Sequence, residues 1–205
     1  MAGPSVEFYY SVGSRYSYLA STQIAALERD TGASVEWIPL SSVSLMAAAG
    51  YQPFDGSRPS GQYDFRFRRA DAEAWADYYG VPYREPGDPL GLPNECALAA
   101  CAALRMGAVA AFSQAFFKAH FVNGAVIRDT ADIVAVAAAA GLEAKRFRTM
   151  LSEDETGALH AANVARAQRA GALGVPTFVI GDRMFWGNDR LVLVRHALQR
   201  LAAPR

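Results

Sequence analysis

Strand-like patterns occur at both ends of this chain, and only helical patterns occur between them. β-Branched and aromatic residues dominate positions 6–10 and 35–39, and a helical spacing of apolar residues separates these segments and ends at Gly32. Near the other end, residues 176–180 and 183–186 predict a hairpin turned by a Gly-Asp pair, followed by a final helix. This order favours one sheet built from both ends of the chain, with its first two strands parallel.

The middle of the chain predicts a helical block. Residues 50–63 are loop-like, and prolines between residues 81 and 93 indicate an irregular connector. The predicted helices span residues 65–79, 94–106, 108–121, 130–140, 144–151 and 154–170, with Asn94 and either Asp129 or Thr130 as N-caps. Their helical spacing predicts a core position for the aromatic side chains of Trp75, Tyr78, Phe112, Phe116 and Phe117.

The composition excludes several classes of protein. The 205 residues include 20 Lys+Arg and 20 Asp+Glu, so the formal net charge is +0, without the basic excess of a nucleic-acid-binding protein. No apolar run reaches the roughly 18 residues of a membrane span, and the first residues show no secretory pattern. We therefore expect a cytoplasmic protein with a small-molecule partner and with no nucleic-acid or membrane partner.

Cysteine and histidine offer no metal centre. The two cysteines, Cys96 and Cys101, are too few for a disulfide scaffold or a zinc site. His120, His160 and His196 lie on separate predicted helices without the spacing of metal ligands. We expect these histidines to be structural or exposed, and we expect no metal.

The turn after the first strand is the first candidate ligand site. Residues 13–17 (Gly-Ser-Arg-Tyr-Ser) lie between the carboxyl end of a strand and the start of a helix, where ligands bind in open α/β sheets. Unpaired N–H groups at that point favour an anion. The alternative is that Ser14 or Ser17 only caps the helix.

A proline marks the start of the third predicted strand. Pro176 cannot donate a hydrogen bond to a sheet, so it belongs at the first position of the strand, where the preceding bond is either cis or trans. The residues alone leave both alternatives open, and base rates favour an ordinary trans proline.

These two features, with the helical block between them, carry a family resemblance. Residues 8–20, which contain Ser14-Arg15-Tyr16-Ser17, and residues 174–179 (Gly-Val-Pro-Thr-Phe-Val) resemble the 2-hydroxychromene-2-carboxylate isomerase and kappa-class glutathione transferase family, within the DsbA-like thioredoxin superfamily. The resemblance covers about residues 5–200. It implies an α/β fold, a thioredoxin-like sheet with a large α-helical insertion, in one domain over 1–205. The thioredoxin-like part is expected at 1–45 and 172–205, and the insertion at about 46–171.

The resemblance also implies a site and a cofactor. Ser14 matches the family's active-site serine, the catalytic residue, and stands where related oxidoreductases carry the first cysteine of C-x-x-C. A serine without an adjacent base is a poor nucleophile, so bound glutathione would supply the thiol and Ser14 would stabilise its thiolate. The residues implied to bind glutathione are Ser14, Val175, Pro176 (the family's cis-proline step), Trp186, Gly187, Asn188 and Asp189. For Asn188 and Asp189 the alternative is a helix cap.

This chain departs from the family pattern at three places. Arg15 replaces the usual proline after the serine and adds a cation beside the expected thiolate, Tyr51 replaces an asparagine, and no lysine occurs in residues 60–64. An aromatic carboxylate substrate would use a cation and stacking surfaces. The candidate substrate contacts are Arg15, Tyr51, Pro53 and Arg84, with Arg58, Phe54, Tyr83 and Trp186 as further candidates. For Arg58 and Arg84 the alternative is a solvated surface charge.

The function implied by the resemblance is glutathione-dependent cis–trans isomerisation of 2-hydroxychromene-2-carboxylate, or a related aromatic carboxylate, in aromatic-compound catabolism. One alternative is a kappa-like glutathione transferase or peroxidase that acts on electrophiles. Another is a non-catalytic protein of DsbA-like fold that binds a thiol ligand or a partner. A homodimer is the family's expected assembly.

Overall fold

The sheet is built from both ends of the chain. The computed structural model describes residues 3–50, 65–87 and 90–202. Its strands are β1 (Ser5–Tyr10), β2 (Ser34–Pro39), β3 (Thr177–Ile180) and β4 (Arg183–Trp186). They lie in the order β2-β1-β3-β4, with β1 and β2 parallel and the other neighbours antiparallel. The predicted parallel pair, the C-terminal hairpin and the single shared sheet are confirmed.

Helices fill the rest of the described chain. They are α1 (Arg15–Ser21), α2 (Ile24–Thr31), α3 (Ser42–Ala48), α4 (Phe65–Tyr79), α5 (Pro93–Arg105), α6 (Val109–Phe117), α7 (Thr130–Ala139), α8 (Ala144–Leu151), α9 (Asp154–Arg169) and α10 (Leu191–Ala202), with a π-helical turn at Lys118–Val122 and a 3-10 turn at Asn188–Arg190. The segment from residue 40 to 176 contains no strand in its described part. The expected boundaries of the insertion stay a prediction.

The first predicted helix is in fact two helices. The Ser21 and Thr22 hydroxyls donate to the carbonyl oxygens of Tyr18 and Leu19, each at 2.7 Å. Such bonds compete with the regular helical pattern and mark a break. α2 then ends as predicted at Gly32, whose φ of 68° is a left-handed conformation that favours glycine.

One helix is missing from the sequence prediction, and one predicted helix cap is wrong. α3 was not predicted, because its start, capped by Ser41 accepting from the Ser44 N–H at 3.3 Å, carries only a short apolar pattern. Asn94 does not cap α5, since that helix begins one residue earlier at Pro93. Pro suits the first turn of a helix, and the Asn94 Oδ1 instead accepts from Ser44 Oγ at 3.2 Å.

The sheet has a hydrophobic core on each side. Phe8 and Tyr10 belong to the larger core, whereas Tyr9 and Ile38 belong to the smaller one. The alternation of side chains along β1 produces this division. α5 is buried along most of its length and packs against α6, α8 and α9, because its alanines allow close helix contacts.

The predicted aromatic core is only partly correct. Phe112, Phe116 and Phe117 are buried in the larger core, as expected. Tyr78, by contrast, is 76% exposed, and the prediction that it lies in the core is wrong. Helical spacing identifies the face that a residue occupies on a helix, but it does not identify which of two apolar faces is covered.

The connector between α4 and α5 is irregular, as its prolines predict. The Tyr18 hydroxyl donates to the Pro82 carbonyl oxygen, and the Arg84 N–H donates to the Phe121 carbonyl oxygen at 2.6 Å. These bonds fix the connector against α1 and the π-helical turn. Among the described residues, no helix is both long and apolar enough to cross a membrane.

Candidate active site

Ser14 begins the helix that follows β1. Its backbone N–H donates to the Ser11 carbonyl oxygen at 3.0 Å, and its Oγ accepts from the Ser17 N–H at 3.2 Å. Ser14 is therefore the N-cap of α1, which was the alternative to a site role. The two roles are compatible, because a hydroxyl that accepts through oxygen keeps its own proton to donate, and Ser14 is partly exposed.

Two backbone donors remain free beside that hydroxyl. The N–H groups of Arg15 and Tyr16 find no acceptor within the described part of the chain, as is usual at the start of a helix. Ser17 is different, because its buried Oγ accepts from the Ser11 N–H at 3.3 Å. The turn therefore offers one hydroxyl and two N–H groups to an anion, with Ser17 as internal support.

The hairpin brings Val175-Pro176 to the end of β1 that leads into this turn. The peptide bond between them is cis, as the resemblance implies. Tyr9 pairs with Thr177 in the antiparallel register, so Pro176 lies beside the end of β1, from which the Ser14 turn leaves. The Pro176 carbonyl oxygen accepts from the Gly187 N–H at 2.9 Å, which links both ends of the hairpin.

Residues 187–189 follow the hairpin, and the 3-10 turn that contains Asn188 and Asp189 contacts α1. Gly187 has a φ of 117°, and a Cβ there would collide with Asp189 Oδ1. The positive φ favours glycine, whereas the Asp189 carboxylate, at the end of a flexible side chain, would have to move to admit a Cβ. Asn188 is 4% exposed, and its Nδ2 has no hydrogen-bond partner in the described structure. A buried unpaired amide is costly, so this donor is available to a ligand.

No side-chain cap bond from Asn188 or Asp189 is seen among the described residues. The 3-10 turn begins after Gly187, which has no side chain to cap it, and the Asn188 carbonyl oxygen accepts from the Tyr79 hydroxyl at 3.1 Å.

Trp186 is 44% exposed. A Cβ added to Gly174 would lie 2.9 Å from its Nε1, so the indole packs closely over that glycine.

Arg15 is buried, which its sequence position does not indicate. Its Nη2 lies 2.9 Å from Glu85 Oε1, with side-chain exposures of 9% and 10%. The other Glu85 oxygen accepts from the Tyr83 hydroxyl at 2.9 Å, and burial raises the pKa of Tyr83. The guanidinium lies 4.8 Å from the Phe65 ring centroid. Within the described chain, Arg15 Nη1 has no hydrogen-bond partner.

The remaining substrate candidates are less informative. Arg84 is exposed, and its side chain lies along Gly124, 3.5 Å from the position that a Cβ would take there. Tyr83 lies in an aromatic cluster with Tyr18 and Phe121 rather than on an open wall. Tyr51, Pro53, Phe54 and Arg58 lie outside the described residues.

A cavity of about 540 Å³ lies between α2, α4 and the start of α10. Asp189 lines this cavity with the aromatic side chains of Trp75, Tyr78 and Tyr79. Trp75 packs against the larger core, as predicted, and also lines this cavity, whereas the exposed Tyr78 lines the cavity without being a core residue. Ser14 does not line the cavity.

The chain's own thiols are remote from this chemistry. Cys96 and Cys101 are free and fully buried in α5, and burial raises the pKa of each thiol to about 12. Thiols of this kind are inert near neutral pH, because the reactive species is the thiolate. They cannot replace a redox pair at the Ser14 turn.

Two histidines are structural. His120 shares a hydrogen bond of 3.0 Å between Nδ1 and the Ala125 carbonyl oxygen, and His160 Nε2 accepts from the Ser41 N–H at 3.1 Å. Burial lowers the pKa of both. No cluster of metal-ligating side chains occurs in residues 3–50, 65–87 or 90–202.

The fold and this site define the class of protein. Residues 5–199 match the family of DSBA-like thioredoxin domains, and the chain belongs to that family. The expected fold, a thioredoxin-like sheet with helices between its two parts, is thereby confirmed.

The most informative relatives have one name. A 2-hydroxychromene-2-carboxylate isomerase from Sphingobium xenophagum is 29% identical over 91% of this chain and 94% of its own length. Proteins of the same name from Pseudomonas sp. (strain C18) and Pseudomonas putida are each 26% identical, over 94% and 96% of this chain and 89% and 95% of their own lengths. The resemblance inferred from the sequence is confirmed.

Solved structures show the same fold. A 2-hydroxychromene-2-carboxylate isomerase structure superposes with a TM-score of 0.81 at 24% identity, over 97% of this chain and 96% of the other. The cytosolic disulfide reductase DsbM from Pseudomonas aeruginosa, solved with GSH, superposes with a TM-score of 0.61 at 21% identity, over 97% and 96%.

Proposed function

We propose that this protein is a glutathione-dependent cis–trans isomerase of 2-hydroxychromene-2-carboxylate or a related aromatic carboxylate, in aromatic-compound catabolism. The observation that carries the proposal is the Ser14 turn. It presents a partly exposed hydroxyl and two N–H groups that find no acceptor in the described part of the chain, and it leaves the end of β1 at which the cis Val175-Pro176 bond lies, in a chain whose own thiols are buried. The names of the relatives, which match along nearly their whole length, support the same reaction.

The residues present fit glutathione. Asn188 Nδ2 is a buried donor without a hydrogen-bond partner in the described structure, and a ligand carboxylate would satisfy it. The Asp189 carboxylate can pair with the ligand's ammonium group. Val175 precedes β3, whose register with β1 begins at Thr177, so its backbone groups are free to bond an extended peptide. Trp186 offers an exposed ring at the same end of the hairpin.

Ser14 would act as the stabiliser of a sulfur anion. Bound glutathione would supply a thiolate that adds reversibly to a conjugated substrate and so permits rotation about a former double bond. The Ser14 hydroxyl and the N–H groups of Arg15 and Tyr16 donate hydrogen bonds to the charged form, and such bonds lower the pKa of the group that accepts them. α1 has only seven residues, so these local donors contribute more than its dipole.

Substrate contacts, assembly and location complete the proposal. Arg15, Tyr51, Pro53 and Arg84 are proposed to contact the aromatic carboxylate. We propose a homodimer, which sedimentation velocity tests. We also propose a cytoplasmic location, where glutathione is kept as the thiol, and cell fractionation tests that location.

The test combines glutathione binding with turnover. We expect calorimetry to detect glutathione binding at millimolar ligand, and a spectrophotometric assay to show that isomerisation of the hydroxychromene carboxylate requires it. Ser14→Ala should lower kcat by roughly 100-fold or more, because the lost donor stabilises charge during the reaction.

Ser41→Ala is the matched control. Ser41 is also an N-cap serine that accepts from the N–H three residues later, but it begins α3. Ser41→Ala should lower the free energy of unfolding by about 1 kcal/mol and leave kcat unchanged. Absence of glutathione binding would refute the proposal. Turnover of electrophiles without isomerisation would favour the transferase, and an unchanged rate in Ser14→Ala would reduce Ser14 to a helix cap.

A further inference from the structure

The Arg15–Glu85 pair is a buried charge pair whose arginine follows Ser14 directly in the chain. Arg15 is the first residue of α1, and Glu85 lies in the connector between α4 and α5. Both Glu85 oxygens are used, one by Arg15 Nη2 and the other by the Tyr83 hydroxyl, each at 2.9 Å. The bond from the Arg84 N–H to the Phe121 carbonyl oxygen and the bond from the Tyr18 hydroxyl to the Pro82 carbonyl oxygen fix the connector on the N-terminal side of Glu85.

Stability alone does not account for this pair. Removing two charges from water costs free energy that one contact repays poorly. Here the cost is higher, because Arg15 Nη1 is buried without a partner in the described structure. An incompletely satisfied charge pair whose arginine belongs to a candidate active-site turn indicates a role in that site.

We propose that Glu85 is a positioning residue, which holds the Arg15 guanidinium in place and sets how strongly its positive charge acts on an anion bound at Ser14. The natural anion, a glutathione thiolate, rests on the proposed function. The charge arrangement itself does not rest on it. Without Glu85, the full cation would act on the turn. Without Arg15, a buried carboxylate would oppose an anion there.

Other titratable and charged groups surround the pair within the described residues. Tyr83 from the connector and His120 from the π-helical turn interact electrostatically with both Arg15 and Glu85. Tyr83 also interacts electrostatically with Arg69 from α4. His120 is neutral at pH 7, because burial lowers its pKa. Farther around the turn, the neighbour Tyr16 contacts Asp71 and Arg68 of α4, and the 3-10 turn beside α1 carries Asp189 and Arg190.

A thiol introduced by Ser14→Cys makes the effect measurable without glutathione. The pKa of that thiol is obtained from thiolate absorbance at 240 nm as a function of pH, or from its rate of alkylation. Cys96 and Cys101 do not interfere, because burial raises their pKa to about 12. The variants Glu85→Gln, Arg15→Gln and the combined Arg15→Gln/Glu85→Gln are then built on Ser14→Cys.

The two single variants should shift the pKa of the introduced thiol in opposite directions. Glu85→Gln should lower it by roughly 0.5–1 unit, giving about three- to tenfold more thiolate below the pKa, since an uncompensated cation favours the charged form. Arg15→Gln should raise it by a similar amount. The combined variant should return it close to the value of Ser14→Cys alone.

Glu153→Gln is the matched control. It breaks the Arg105–Glu153 pair, which has an N–O distance of 2.7 Å and lies between α5 and α9, away from Ser14. It should leave the thiol pKa unchanged. Equal pKa values in all variants, or shifts of the same sign in both single variants, would overturn the proposal. If Glu85→Gln fails to fold, Arg15→Gln and the combined variant still give the comparison.

The proposed function can fail separately. Wild-type protein that binds no glutathione, together with opposite thiol shifts, would remove the isomerase mechanism and leave the role of Glu85 intact. Glutathione binding with Ser14-dependent turnover, but without shifts of the thiol pKa, would support the isomerase mechanism and remove the proposed role of Glu85.

Discussion

Two arginine-centred clusters in this protein use similar groups in opposite ways. Arg166 of α9 bonds Glu7 of β1 and Glu36 of β2 at 2.6–2.7 Å, near the protein surface. The parallel register pairs Glu7 with Glu36, so two like charges on neighbouring strands require a cation between them. Arg15 is instead buried, with one carboxylate partner and one nitrogen unpaired in the described structure.

The difference in burial and in hydrogen bonding marks the Arg166 cluster as structural and the Arg15–Glu85 pair as a functional candidate. Every carboxylate oxygen of Glu7 and Glu36 accepts a hydrogen bond, from Arg166 or from the Tyr9 hydroxyl, and water reaches the rest of the cluster. The Arg15 pair is both drier and less complete, and it lies at the Ser14 turn. Incomplete satisfaction in a dry place is tolerated where function requires it.

The largest expected effect on stability is at Glu85. Glu85→Ala should lower the free energy of unfolding by about 3–5 kcal/mol, because it leaves the Arg15 charge buried without a counter-ion. Urea unfolding followed by circular dichroism measures the loss. A loss below about 1 kcal/mol would show that Arg15 reaches water, and the contrast between the two clusters would disappear.

Glu7 should show the next largest effect, and the effect should depend on pH. Burial alone would raise the pKa of the Glu7 carboxyl, but hydrogen bonds from Tyr9 and Arg166 outweigh burial and lower this pKa below its ordinary 4.5. The carboxylate therefore stabilises the folded state fully above about pH 4.5, and this stabilisation is lost as the pH falls through the folded-state pKa. Glu7→Gln should cost about 1–2 kcal/mol at pH 7.

The pH profile is the sharper measurement. Unfolding free energies measured between pH 3 and 7 should converge for wild type and Glu7→Gln toward the acid end. A constant difference across that range would mean that the Glu7 charge contributes nothing beyond packing.

Much of the fold could be predicted from the sequence because its signals are local. The alternation in β1, the left-handed glycine after α2 and the Gly-Asp hairpin each depend on residues that are neighbours in the chain. The Ser14 turn could be located for the same reason. Its position follows from the place where a strand period changes to a helix period.

The rest depends on partners that are distant in sequence. Arg15 and Glu85 are 70 positions apart, and no periodicity links them. The sequence placed Arg15 near the site, but only the packing of the connector against α1 shows that its charge is paired. Tyr78 illustrates the same limit, because its exposure depends on which helices cover α4. The resemblance already named Asn188, but only the tertiary structure shows that its buried Nδ2 lacks a hydrogen-bond partner among the described residues.

The smallest expected effect is at Glu36, the most exposed member of the Arg166 cluster. Its side chain is 49% exposed, so solvent screens its attraction to Arg166. Glu36→Gln should cost at most about 0.5 kcal/mol, and the cost should vanish in 1 M NaCl. Because Glu36 also repels Glu7 across the register, removing its charge relieves one unfavourable interaction while it weakens a favourable one. A salt-independent loss above about 1 kcal/mol would instead make the surface cluster as strongly coupled as the buried one.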